Sequence, residues 1–144
     1  MKKRALALLL VLALFCLAGC STNTQPLLSD ADAARVNHAV IVPDYYGPPQ
    51  ETYTGKICTG ALDVAEIVKA LQAAKTGEET ETIYGGKTAL ILLYCDDIEV
   101  ARLRISADGK WVDIGNAYYH CSNVPNLEKL YNSLSAKETD IVIA

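Results

Sequence analysis

Asp108-Gly109 lies between two runs of alternating side chains, and no other pair constrains the fold of this 144-residue chain as much. An Asp-Gly pair suits a tight hairpin because glycine takes the positive φ that the turn requires. The strand before it is Glu99 to Ile105, and Trp111 to Gly115 follows. Asp96-Asp97 offers a second turn, after the apolar run Thr88 to Cys95. Two-residue loops at both places set a register. Leu92 faces Ala101, Leu90 faces Leu103, Leu103 faces Ile114, and Ile105 faces Val112. These side chains share the face that helices must cover. Arg104 meets Asp113 on the other face as an opposite-charge pair. A slip of one residue would turn a strand's apolar set over. The second face carries Ile91, Leu93, Cys95, Ile98 and Val100 beside Arg102 and Arg104. Either the segment before the domain or the β-prone end 140–144 covers it, or a partner does.

The flanking segments complete the layout. His38 to Val42 is β-branched and apolar, Pro43 to Pro49 is a turn-rich loop, and Glu51 to Cys58 returns as a strand. Asp63 with Glu66 gives a capping signal. Val64, Ile67, Val68, Leu71 and Ala74 then recur on one helical face, with Gly77 as the stop. Residues 78–87 read as an exposed loop. After Asn116 to Cys121 comes a second helix, capped by Asn123 or Asn126, with Leu127, Leu130, Tyr131 and Leu134 as its buried stripe. The expected fold class is α+β, an antiparallel sheet in ββαβββα order with helices packed on one face.

The N-terminus decides location. Lys2, Lys3 and Arg4 precede an apolar run from Ala5 to Leu17, too short for the roughly 20 residues of a membrane-crossing helix, and Ala18-Gly19-Cys20 follows. That order is a secretory signal. Leu17-Ala18-Gly19-Cys20 resembles the lipobox of bacterial lipoproteins. The resemblance implies cleavage before Cys20 and acylation of its thiol, leaving Cys16 in the removed part. Two or more acyl chains hold firmly, since each buried methylene contributes about 0.8 kcal/mol. With Ser21 rather than Asp next, the outer membrane is favoured in a two-membrane cell, and the outer face of the cell membrane otherwise. The chain then divides into a signal peptide (1–19), a flexible tether (20–37), a single α+β domain (38–135) and a C-terminal tail (136–144). The layout of that domain also resembles small α+β domains in lipoproteins of unknown function from Gram-positive bacteria, a likeness that brings no activity with it.

Residues 20–144 hold all 17 acidic residues and ten of the 13 basic ones, so this part carries about −7. Such a balance argues against nucleic acid as a partner. Three cysteines remain in the domain. Export permits a disulfide, and an odd count leaves a thiol over. Cys95 and Cys121 share a face but stand about 9.6 Å apart at two strand spacings, beyond a disulfide's reach. Cys58 with Cys95 or with Cys121 is the pairing expected. His120 adjoins Cys121, but neighbours on a strand face opposite ways, so the imidazole does not activate that sulfur. Asp96, Asp97 and Glu99 lack the spacing of a calcium loop and read as solvated turn residues. The sequence offers no catalytic set, metal site or cofactor motif. Eight tyrosines stand against one Phe and one Trp. Tyr45, Tyr46 and Tyr53 flank the Gly-Pro-Pro loop and are the binding candidates, since tyrosine joins a buried ring to a polar tip suited to peptide or glycan contact.

The leading expectation is a non-enzymatic binding or interaction module, lipid-anchored outside the cytoplasm, with an envelope protein, peptide or glycan as partner. A small envelope enzyme (a hydrolase or thiol protein) and an accessory subunit of an envelope complex are the alternatives.

Overall fold

The computed structural model describes residues 23–47, 52–81 and 86–144. The signal segment, Cys20 and the Pro48-Pro49 part of the tyrosine-flanked loop lie outside them. Among the described residues nine strands form one antiparallel sheet. They are β1 (Gln25–Pro26), β2 (His38–Tyr45), β3 (Thr52–Cys58), β4 (Lys75–Thr80), β5 (Thr88–Cys95), β6 (Ile98–Ser106), β7 (Trp111–Ile114), β8 (Ala117–Ser122) and β9 (Glu138–Val142). Across the sheet the order is β1-β4-β8-β7-β6-β5-β2-β3-β9. The helices are α1 (Asp30–Ala33), α2 (Ala61–Ala73) and α3 (Leu127–Ser133). The α+β class and the antiparallel sheet agree with the sequence reading, but the element order is longer than ββαβββα.

β5 is the spine. It lies between β2 and β6, and its first six residues are buried. A strand covered on both faces needs no polar alternation, which explains its unbroken apolar sequence. Ile91 and Leu93 join Leu103, Ile105, Val112, Ala39, Ile41 and Cys58 beneath the helices, which contribute Val64, Ile67, Leu71, Leu130 and Tyr131. On the opposite face Leu90 and Leu92 cluster with Val40, Val42, Tyr53 and Ile141, flanked by Tyr45, Tyr94 and Ile143.

That division corrects the expected register. The turn at Asp96-Asp97 is tight, with Cys95 paired to Ile98 and Tyr94 to Glu99, but Leu93 then pairs with Ala101. Val100 is an extra residue in β6. This bulge moves Leu92 opposite Arg102 and Leu90 opposite Arg104, so β5 presents Ile91 and Leu93 to the helices instead of Leu90 and Leu92. The second hairpin keeps the expected pairing, with Arg104 opposite Asp113 and Ile105 opposite Val112. Ser106 Oγ accepts from Lys110 N and Trp111 N, each at 3.1 Å, which fastens a loop four residues long.

Three further differences have physical causes. Residues 20–37 read as tether in the sequence, yet within them Leu27 and Leu28 are buried among the helices and β1 pairs with β4. Two buried leucines contribute roughly 3–6 kcal/mol, enough to hold a short segment down. Residues 75–80, expected as the helix end up to Gly77 and then the start of the 78–87 loop, form a strand: α2 ends at Ala74 in extended geometry, and Thr76 and Thr80 pair with Cys121 and Tyr118. Gly77 is therefore not a helix stop. The C-terminal tail is also structured, because β9 pairs with β3 along its length and buries Ile141.

Asp63 does not cap α2; Gly60 does. Asp63 is buried and accepts from Ser135 N (2.9 Å), Ala136 N (2.9 Å) and Ser135 Oγ (3.1 Å). Burial pushes its carboxyl up, but these hydrogen bonds and nearby Lys56 outweigh it and hold it below its usual value. Lys56 Nζ, equally enclosed, donates to Tyr131 O and Leu134 O at 2.8 Å each. The pair fastens the link from α3 to β9. The cap of α3 is Asn126, whose Oδ1 accepts from Lys129 N at 2.8 Å.

Candidate functional site

Among the described residues α1, α2 and α3 pack on one side, and the other side of β5 to β8 is made of side chains from the strands. One row there runs Tyr118, Asp113, Arg104, Leu90 and Val42 across β8, β7, β6, β5 and β2. The bulge at Val100 creates this row, because it brings leucine rather than isoleucine beneath the arginines. A cleft of about 330 Å³ opens over Leu90. Tyr45, Arg102, Arg104 and Asp113 line it, together with the Gly115-Asn116 turn. Both turn residues have positive φ, 62° and 70°, which suits a two-residue hairpin and returns β8 beside β7.

The two guanidiniums differ in their state. Arg102 donates through Nε and Nη2 to both oxygens of Glu99, each at 2.9 Å. That paired hydrogen bond raises its already high pKa. Arg104 makes no hydrogen bond among the described residues. Its Nε is sealed from solvent and stands 3.9 Å from Asp113 Oδ2, too long for a hydrogen bond. Its guanidinium carbon lies 5.8 Å from the Trp111 ring centroid, and Trp111 meets Tyr118 edge to face at 6.1 Å. Guanidinium over indole is a favourable arrangement. A charged group with spare donors, held between a carboxylate and an aromatic ring, can bind an oxyanion; it cannot by itself do covalent chemistry.

Of the three tyrosines expected to bind, Tyr45 alone lines the cleft. Tyr53 is only 2% exposed; its hydroxyl donates to Gly47 O at 2.8 Å, and its ring lies 4.9 Å from that of Tyr45. Burial, with a smaller effect of Tyr45, raises its phenol pKa. Tyr53 therefore supports Tyr45 and offers no contact surface. Tyr46 is 64% exposed and lies outside the cleft lining. Sequence reading had paired Arg104 with Asp113 but had not linked them to Trp111 and Tyr118. The available signal was Gly115-Asn116, which returns Tyr118 to the face of Trp111.

The remaining candidates are spread through the sheet. Cys58, Cys95 and Cys121 are all free. Cys58 pairs with Ala39 and Ala39 with Leu93, so β2 separates Cys58 from the strand of Cys95, while Cys121 is on β8. Burial pushes the Cys58 and Cys121 thiols up to about 11, helped by Asp63 and Asp108 respectively. Cys121 Sγ donates to Gly109 O at 3.1 Å on the helix side, and His120 is exposed. His38 stacks on Tyr94 at 4.7 Å. At the acidic turn, Asp96 Oδ1 accepts from Asn37 Nδ2 at 2.7 Å and Glu99 is held by Arg102. Among the described residues no group of three or more His, Cys, Asp or Glu could hold a metal ion. A larger cleft, about 540 Å³, lies between the start of α3 and the β6–β7 loop, but its lysine, Lys87, already pairs with Asp44.

Among the described residues no helix is long and apolar enough to cross a membrane. No family model, curated protein or solved structure matches the chain.

Proposed function

We propose that this protein is a membrane-anchored extracytoplasmic lipoprotein whose folded body is a binding module, with the Tyr45–Arg102–Arg104 cleft as its contact site. The observation that carries the binding reading is the cleft itself. It is built on the rigid centre of the sheet and lined by two guanidiniums, a phenol and a carboxylate. Binding sites placed on strands hold their groups more exactly than sites on loops. Acyl transfer or hydrolysis would need a nucleophile and a base within hydrogen-bond reach, and the cleft lining holds neither histidine nor cysteine. The apolar residues of this face, Leu90, Leu92, Val40 and Val42, are buried, which disfavours an accessory subunit docked by bare hydrophobic contact.

The anchor rests on the Leu17-Ala18-Gly19-Cys20 sequence. Labelling cells with radioactive palmitate tests it: the native chain takes up label and partitions into membranes, and Cys20→Ser does neither. Label or membrane partition unchanged in that variant would end the lipoprotein reading. For the site, Tyr45→Ala and Arg104→Gln, each checked for folding, should lose envelope components that the native chain captures. Unchanged capture would move the site elsewhere.

A further inference from the structure

We propose that the ligand of this face is an acidic saccharide, with a sugar carboxylate on Arg104 and the sugar ring against Trp111 and Tyr118. The inference rests on the binding-module reading above and extends that site from Arg104 to Trp111 and Tyr118, which stand on the same face outside the cleft lining. Its first support is the contrast between the arginines. Arg102 commits its Nε–Nη2 edge to Glu99, whereas Arg104 makes no hydrogen bond among the described residues. A guanidinium carries five N–H donors in a planar fork matched to a carboxylate. Asp113, 3.9 Å from the inner nitrogen, fixes the side chain without saturating it. Arg104 is still 31% exposed, so an acceptor can reach the group from outside.

The second support is position. Strands β5, β6 and β7 are interior, and their backbone groups are engaged with strands on both sides. A peptide that binds by adding a strand needs a free edge, and this site has none. Recognition falls to side chains: the half-buried ring of Trp111 lies by Arg104, and the half-buried ring of Tyr118 meets that of Trp111. An aromatic surface next to an oxyanion donor fits a ring that bears a carboxylate. The third support is the charge of the body. About −7 over residues 20–144 repels densely charged polyanions, while carboxylates spaced one to a sugar meet less of that field.

Trp111 is the chain's single tryptophan, so its fluorescence reports this face alone. The full-length chain in neutral detergent is titrated with tetragalacturonic acid, with its methyl ester, and with a hexaglutamate peptide. We expect a saturable change with the acid and at least about tenfold weaker binding of the ester. Arg104→Gln should weaken binding of the acid by a similar factor, the scale of one lost charge-assisted hydrogen bond. Tyr118→Ala is the second variant and should weaken binding while leaving far-ultraviolet circular dichroism unchanged. No response to the acid, or an equal response to the ester, overturns the proposal. Hexaglutamate binding as tightly as the saccharide through Arg104 also overturns it, yet leaves the binding face standing. Failure of the face itself is separate and shows as unchanged envelope capture by Tyr45→Ala and Arg104→Gln.

Discussion

Replacing Lys56 with methionine isolates what one enclosed charge does for the last third of the chain. Lys56 is 8% exposed, and its ammonium donates to Tyr131 O and Leu134 O at 2.8 Å each and lies 4.7 Å from the Tyr131 ring centroid. Lys56→Met keeps the length of the stem and leaves two carbonyls at the end of α3 without a donor. Each such group costs about 1–3 kcal/mol when buried, and the lost contact with the ring adds about 0.5–2 kcal/mol. Against this, the variant no longer holds an ammonium out of water, a relief of several kcal/mol. With mid-range values, about 5 kcal/mol of loss against about 3 kcal/mol of relief, the balance is a loss of about 2 kcal/mol. With a urea slope of about 1–3 kcal/mol/M, the unfolding midpoint falls by roughly 0.7–2 M. Urea unfolding followed by circular dichroism measures it, and hydrogen exchange should show faster opening at Tyr131 and across β9. A midpoint unchanged or raised would refute the reasoning, because ammonium desolvation would then outweigh the two carbonyl bonds.

Asp63→Asn tests the buried carboxylate near that lysine through pH. The folded carboxyl sits below its usual value, so its stabilisation is complete above that value and disappears as pH falls through the folded one. Denaturation below about pH 4 should therefore weaken the native chain more steeply than the variant, and parallel acid curves would contradict this. Gly55→Ala should loosen β9, since a Cβ there would lie 2.5 Å from Ile41 O and 2.7 Å from Ile141 Cδ1. The expected cost is about 1–3 kcal/mol, read as a lowered urea midpoint, and a neutral effect would mean that the two strands can part cheaply. Finally, Cys58, Cys95 and Cys121 should count as three thiols, with and without reductant, in denatured protein from which residues 1–20 are absent. A lower count without reductant would reveal a bridge.

Turn chemistry and single-faced strands were legible in the sequence, and two-faced burial was not. β6 alternates Ala101, Leu103 and Ile105 with Arg102 and Arg104, so its inward face could be read directly. Arg104 opposite Asp113 followed from that alternation and stands as expected. β5 is apolar on both faces, so a shift of one residue leaves its pattern looking the same, and only the bulge at Val100 decides. β4 was missed because Lys75 to Thr80 has no apolar stripe, and its extended form comes from pairing with β8. Asp63 looked like a helix cap by spacing, yet its acceptors' partners are 72 and 73 residues away. In the candidate site, the tyrosine bias led to Tyr45, but Trp111 and Tyr118 reach that face only through folding of the Gly115-Asn116 hairpin.

The position of β9 has a kinetic consequence. Thr52 pairs with Val142 and Tyr53 with Ile141, so the margin of the sheet closes only when almost the whole chain is available. Such distant pairings slow folding. During synthesis, β3 waits with one ladder open while some eighty residues are still to come, so the sheet's margin is the last part to close.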